Sequence, residues 1–536
     1  MKTNKKQAFW VGILGSVFAL TFVAGPAHAA KTLVYCSEGS PSTFNPQIAT
    51  DGTTYTNTSA IYNRLVEFKY GETSVEPMLA ESWSTSKDGM TYTFKLRKGV
   101  KFQTTAYFTP TREFNADDVL FTFNRQRLKD HPFHKVSGGS YEYFDSMEMG
   151  RIIKDIVKVD AHTVKFVLSQ AEAPFLANLA MDFASILSAE YGDTLMKAGK
   201  PEKMDIEPVG TGPFTFVRYD KDQSVRYKTN PDYFKGRAKF DQLVFSITQD
   251  PSVRFQKLKT GECNLVTEPA PQDLKAMSAD PKLQVMQAPG LNVGYLAMNV
   301  EKKPFNNPLV RQAINMALDR KSYIDAIYLG NAVIAKNPFP PSMWSFNNSV
   351  KDYEHNPAKA KELLAKAGLP NGFEAELWTL PVSRPYNPNG KKMGEMMQAD
   401  LAKVGIKVKL VTYDWPTYLK KTKEGDHQIV QMGWTGDNGD PDNFMNVLLG
   451  CASVKAGSNL ARWCDKDFNE LVQKAKMTPD KAKRTKFYKQ AQEEFKKAAP
   501  WVTLAHSVVY RAMGKNVHGF KINPFGTDQF HEVELK

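Results

Sequence analysis

The chain has 536 residues, 42% of them hydrophobic and 24% charged, with 31 Pro, 34 Gly and 4 Cys. That composition excludes a disordered chain, a collagen-like repeat and a disulfide-dense miniprotein, and a mean hydropathy of −0.43 excludes a polytopic membrane protein. At ~100–200 residues per domain the length provides for about three folding units around a large core. The formal net charge is +13, but Asp and Glu are interleaved with the basic residues apart from local runs such as Lys481-Ala482-Lys483-Arg484. Such runs are solvated helix faces, so no nucleic-acid partner is expected.

Residues 1–29 have the layout of a secretory signal peptide. Lys2, Lys5 and Lys6 precede an uncharged apolar run from Ala8 to Ala24, Gly25-Pro26 breaks it, and Ala27-His28-Ala29 offers small residues for cleavage after Ala29 or Ala30. The run is at the short edge of the ~17–25 residues a membrane span needs, and no Cys stands at the junction to take a lipid. A soluble periplasmic protein is expected. Loss of the three leader lysines lowers the net charge from +13 to +10.

Downstream, Thr32 to Tyr35 is a first short strand. Tyr92 to Arg97 and His162 to Leu168 alternate apolar and polar residues as half-buried strands do, each after a turn signal at Asp88-Gly89 or Asp160-Ala161. A helix capped by Asn115 is predicted over Ala116 to Arg127, within a stretch from about 70 to 205 that reads as β-rich. From 290 onward helices dominate. Asn307-Pro308 and Asn356-Pro357 each start one, with Pro in the first turn. A helix from Gln398 to Val404 ends at Gly405, before a strand from Ile406 to Val411. Helix, Gly and alternating strand make an α/β unit.

Four cysteines in an oxidising compartment should pair, and three connectivities are open. Cys451 and Cys464 enclose a short loop and are the first pairing by spacing, which leaves Cys36 and Cys263 to join distant parts of the chain. There is no CxxC and no His near a Cys, so neither a metal site nor a cofactor is expected. Nor is there a nucleophile elbow, a P-loop, a His-Glu-x-x-His or a complete dinucleotide fingerprint, and no enzyme is expected.

Two constellations remain. Gly433-Trp434-Thr435-Gly436-Asp437-Asn438-Gly439-Asp440-Pro441-Asp442-Asn443-Phe444 holds three carboxylates in six residues. As a calcium loop it is spoiled by Pro441 and by Leu448 where the bidentate Glu should stand; the other readings are an Asp/Gly turn and an acidic, aromatic-walled pocket edge for a cation. In Trp378 to Pro388, Arg384 sits in a proline-stiffened loop beside Tyr386, suited to a carboxylate.

The chain resembles the extracellular solute-binding protein family 5, which serves peptide and nickel importers. The resemblance is carried by Leu79-Ala80-Glu81-Ser82-Trp83, Tyr92-Thr93-Phe94, Leu96 to Phe102, Asn115-Ala116-Asp117-Asp118-Val119, Gly210-Thr211-Gly212-Pro213-Phe214 and Val310-Arg311-Gln312-Ala313. Its dipeptide-binding branch is matched by Tyr35-Cys36, Lys135 to Tyr143, Arg384 to Pro388 and Gly433 to Phe444. Asp51, before Gly52-Thr53-Thr54-Tyr55, departs from that branch.

The resemblance implies an α/β, two-lobed periplasmic-binding-protein fold with an extra β-rich domain at 71–204. The N-terminal lobe would comprise 30–70, 205–289 and 508–536, and the C-terminal lobe 290–507. It also implies the pairs Cys36–Cys263 and Cys451–Cys464. A dipeptide would lie between the lobes, its ammonium on Asp437 and its carboxylate on Arg384. Backbone around Thr50, Gly52 and Gly436 would pair the peptide bond, with Trp415, Trp434, Tyr141 and Tyr386 as walls. The partners expected are an inner-membrane ABC permease and a chemoreceptor, the protein itself being a monomer. The alternatives are a haem-, glutathione- or oligopeptide-binding relative, a peptide sensor facing the chemoreceptor, and a secreted peptidase.

Overall fold

Thr32–Ser37 lies parallel to both Gln242–Ile247 and Leu265–Thr267, and this central place in a sheet buries Leu33 and Tyr35. The structure is a computed structural model that describes Met1 and residues 30–536; the leader expected over 1–29 lies, Met1 apart, outside the described residues. Among the described residues no helix is long and apolar enough to cross a membrane.

The alternating segments become Thr91–Leu96 and Thr163–Leu168, paired antiparallel inside a four-stranded sheet completed by Ala80–Thr85 and Ile153–Asp160. Ala116–Arg127 packs over it, held at its start by a full capping box between Asn115 and Asp118. The stretch read as β-rich also contains the helices Glu142–Ser146, Met149–Ile152, Phe175–Leu179 and Ala189–Lys197. Most have a turn or so, too short for a 3.6-residue period to show in the sequence.

In the other half, Pro308–Ala317 and Pro357–Lys366 start where Asn307 and Asn356 cap them. The helix anticipated from Gln398 begins eight residues earlier, as Gly390–Lys403. Gly390 and Gly394 look like breakers, yet each marks a close approach: a Cβ on Gly390 would sit 2.3 Å from the Leu380 carbonyl oxygen, and one on Gly394 2.3 Å from the Thr379 methyl. This helix joins the parallel strands Phe373–Trp378 and Ile406–Val411, as a parallel connection requires.

Two groups of strands form the two lobes, and Trp501–Gly514 belongs to both. Its first part pairs with Asn292–Met298 and Ala332–Ile334, its second with Leu265–Thr267 and Leu283–Pro289. The change from one group of strands to the other falls between Pro289 and Asn292, and again near Ser507 within this strand. Away from this strand the two halves also meet directly, the Ala173 N–H donating to the Lys476 carbonyl at 2.9 Å. Lys476, fully buried, donates to the Met147 carbonyl at 2.8 Å and pairs with the equally buried Glu172 at 3.5 Å.

Cys36 is bonded to Cys263 and Cys451 to Cys464, as the spacing and the resemblance both indicated. The second bridge closes a loop of sequence separation 13, worth about 3 kcal/mol on the loop-entropy account. Cys451→Ser should lower the unfolding free energy from urea titration by an amount approaching this while leaving the folded far-UV circular dichroism spectrum unchanged.

Candidate functional site

A cavity of about 530 Å³ lies between the lobes, within the ~300–1,000 Å³ typical of small-molecule sites. Thr50, Asp51 and Gly52 line it from the first lobe, and Arg384, Tyr386, Trp415, Trp434 and Asp437 from the second.

Arg384 opens a tight turn. Its N–H donates to the Asn387 carbonyl at 3.1 Å and its own carbonyl accepts from the Asn387 N–H at 3.0 Å. The turn rests on two glycines that face each other on neighbouring strands, Gly294 and Gly433. A Cβ on Gly294 would meet the Tyr386 carbonyl oxygen at 2.3 Å, and one on Gly433 the Tyr386 ring at 2.1 Å. The hydroxyls of Tyr328 and Ser507 donate to the Tyr386 and Pro385 carbonyls. The loop is therefore fixed from beneath.

Arg384 is 8% exposed. Nη1 donates to the Glu38 carboxylate and Nη2 to the Thr53 hydroxyl at 2.7 Å, both from the opposite lobe, while the Trp415 ring lies 4.8 Å from its centre. Among the described residues no acceptor is placed for Nε–H or for the second Nη2 proton, and a guanidinium offers a carboxylate such a pair of donors. Burial raises Glu38, but Arg384 and the Thr53 hydroxyl outweigh it and hold the carboxyl below its ordinary 4.5.

Asp437 stands just beyond the strand Ile429–Thr435. Its N–H donates to the Asn443 side chain at 2.9 Å, which also takes the Trp434 indole N–H at 2.9 Å. The Tyr143 hydroxyl donates to the Asp437 carboxylate from across the cleft. Burial, reinforced by Asp182, pushes this carboxyl well above its ordinary 3.8 despite the hydrogen bonds from Tyr143 and Asn443. No cation lies within 4 Å of it among the described residues.

The three carboxylates of this loop diverge. Asp437 faces the cavity, Asp440 pairs with Arg484 at 2.7 Å, and Asp442 is buried with neither oxygen hydrogen-bonded. Among the described residues no cluster is placed to hold a metal ion, and the calcium-loop reading has no geometry behind it.

Two expected site residues are elsewhere. Tyr141 is fully buried away from the cavity, donating to the His134 carbonyl at 3.0 Å with Arg125 over its ring; the tyrosine that reaches the cleft is Tyr143. The Ser-Tyr-Glu-Tyr sequence holds both, and composition does not distinguish them. Gly436 is not on the wall. Its N–H donates to the Leu291 carbonyl at 2.7 Å, and it is glycine because a Cβ would stand 2.7 Å from the Phe444 ring. Three carboxylates on the wall, Glu38, Glu142 and Glu268, were missed. Glu142 pairs with Lys423 across the cleft at 3.6 Å, yet burial outweighs the lysine and raises it.

The model of bacterial extracellular solute-binding proteins, family 5 Middle, matches residues 74–456. The chain belongs to family 5 of the bacterial extracellular solute-binding proteins. It is 52% identical to the dipeptide-binding protein of Escherichia coli (strain K12) over 537 residues, with all of both chains covered. It is 50% identical over 506 residues to heme-binding protein A of Haemophilus influenzae, covering 94% of this chain and 92% of that one. The crystal structure of the dipeptide-binding protein from Pseudoalteromonas sp. SM9913 in complex with Met-Leu matches with a TM-score of 0.92 at 41% identity, covering 94% of this chain and all of the other. The two-lobed α/β architecture is that of the family.

The Glu38–Arg384 pair makes a pH prediction. Because the folded-state carboxyl lies below its ordinary 4.5, its stabilisation is fully present above about that pH and is lost as pH falls through the lowered value. Glu38→Gln leaves a buried guanidinium unpaired and should cost about 3–5 kcal/mol at pH 7. In urea titrations the gap between the two proteins should close as the pH is taken below 4.5.

Proposed function

We propose that this protein is the periplasmic capture component of an ABC importer, reached by way of a cleaved leader, and that it encloses dipeptides between its lobes without changing them chemically. The lobes are taken as 30–70 with 205–289 and 508–536, and 290–507, with 71–204 inserted. The passages between strand groups at 289–292 and near 507 support these limits. The permease partner follows from the family.

One observation carries the ligand reading: among the described residues, a guanidinium with free donors and a carboxylate without a cation share one cavity. A dipeptide is a zwitterion whose end charges stand at a nearly constant separation whatever its side chains. Arg384 and Asp437 thereby measure length and ignore sequence. A longer peptide overruns one of them, and a single amino acid leaves a buried charge unpaired, at a cost of several kcal/mol. Thr50 and Gly52 bring backbone to the wall, and Trp415, Trp434 and Tyr386 supply apolar surface. Micromolar binding needs about −8 kcal/mol, within reach of two enclosed ion pairs and backbone hydrogen bonds. The dipeptide reading is supported by the names of the relatives above. A haem reading wants an exposed His or Tyr ligand; the described residues on the wall include no His, and its tyrosines Tyr35, Tyr295 and Tyr386 are all buried.

Calorimetry on ligand-stripped protein tests this directly. Ala-Ala should bind, and N-acetyl-Ala-Ala, Ala-Ala-amide and tri-alanine should bind far more weakly; equal binding of the blocked or longer forms refutes two-ended recognition. Asp437→Asn and Arg384→Ala should each cost about 2–5 kcal/mol of affinity.

The raised Asp437 carboxyl adds a signature. An arriving ammonium favours the ionised form, so binding releases a proton, and affinity climbs with pH until free Asp437 is itself ionised. Binding heats should therefore differ between Tris and phosphate buffers in proportion to their ionisation enthalpies, and Asp437→Asn should remove the difference.

A further inference from the structure

Five carboxylates stand on the cavity wall: Glu38, Asp51, Glu142, Glu268 and Asp437. Three are answered by the protein's own cations, Glu38 by Arg384, Glu142 by Lys423 at 3.6 Å and Glu268 by Arg511 at 3.1 Å. Asp437 is left for the ligand's ammonium. Asp51 is the fifth. It is 6% exposed, and among the described residues no cation lies within 4 Å of it; Lys420, also on the wall, is an exposed residue that makes no ion pair with it.

We infer, resting on the dipeptide reading, that Asp51 is a specificity residue which selects dipeptides with Lys or Arg as their second residue. Its position in the cavity argues for the second side chain. The Trp415 indole N–H donates to Asp51 Oδ1 at 3.4 Å, while the same ring carries the Arg384 guanidinium at 4.8 Å. Sharing one indole, Asp51 and Arg384 stand at the same end of the cavity, where the ligand's carboxylate binds. A dipeptide without a cation there brings its carboxylate near Asp51 at like charge; a Lys or Arg side chain turns that repulsion into attraction.

The hydrogen bonds of Asp51 leave room for such a cation. Oδ1 also caps the helix Gly52–Thr58 through the Thr54 N–H at 2.9 Å, and Oδ2 accepts from the Ser42 hydroxyl at 3.1 Å. A carboxylate has about four acceptor positions, so one on Oδ2 remains. Ile48 and Ala49 precede Asp51 on the wall, and Leu419 lies one helical turn beyond Trp415. These supply an apolar lining for the methylene stem of a long basic side chain.

The test is calorimetry of wild type, Asp51→Asn and Asp51→Ser with Ala-Ala, Ala-Lys, Lys-Ala and Ala-Glu. Asn and Ser both keep the helix cap, so both variants fold. In wild type, Ala-Lys should bind about tenfold more tightly than Ala-Ala, with Ala-Glu weakest and Lys-Ala gaining little. In both variants the ratio of Ala-Lys to Ala-Ala affinity should fall towards one. An unchanged ratio in the variants, or equal binding of Ala-Lys and Ala-Ala to wild type, overturns the role of Asp51. A gain for Lys-Ala instead of Ala-Lys overturns its assignment to the second side chain. Failure of all four peptides to bind wild type overturns the dipeptide reading itself, a result distinct from either.

Discussion

The Arg384 guanidinium is taken out of water at the centre of the molecule, and the carboxylate that answers it, Glu38, comes from the facing lobe. A buried charge without a partner costs several kcal/mol, so this pairing sets how the two halves can approach. The same demand recurs along the cleft in Glu142 with Lys423 and Glu172 with Lys476. Apolar packing crosses the same boundary, as where the Tyr143 ring meets Trp434 edge-on at 5.7 Å. The charged contacts are the ones that can exchange their partners for water when the lobes part.

Within this seam the two groups proposed to meet the ligand's ends are held in place by the protein's own contacts. Arg384 sits in a closed turn seated on Gly294 and Gly433. Asp437 is fixed through its backbone by Asn443, which also holds Trp434. Neither side chain has far to move, so little conformational entropy is lost on binding. The neighbouring carboxylates show how finely such a loop divides its tasks. Asp440, three residues from Asp437, is a structural partner of Arg484.

Local chemistry made much of the architecture readable in advance. Asparagine caps followed by proline marked the helices at 308 and 357, and alternation marked the strands at 91–96 and 163–168. What escaped was decided by distant neighbours. The first eight residues of the helix Gly390–Lys403 were not anticipated, since a sequence does not display Leu380 and Thr379 pressed against Gly390 and Gly394. Tyr141 and Tyr143 are chemically alike, and only the short helix Glu142–Ser146 decides which enters the core and which meets Asp437. Glu38 could not be read from spacing, since its partner lies 346 residues away. Placing Arg384 and Asp437 in one site drew on resemblance; their residue types alone said only that each suits an opposite charge.

The strand Trp501–Gly514 is hydrogen-bonded into both lobes, with Asn292–Met298 on one side of its midpoint and Leu283–Pro289 on the other. The joint between the lobes is therefore made of β-ladder, whose inter-strand hydrogen bonds must break before its strands can slide. Sliding of one lobe across the other would disrupt that ladder, whereas rotation about the two neighbouring passages of chain would leave it intact. An opening of that kind would return Arg384 to Glu38 and Tyr143 to Asp437 in the same register. Alignment of a cleft that must part and re-form is stored in the backbone, leaving the side chains on its walls free to diverge with the cargo.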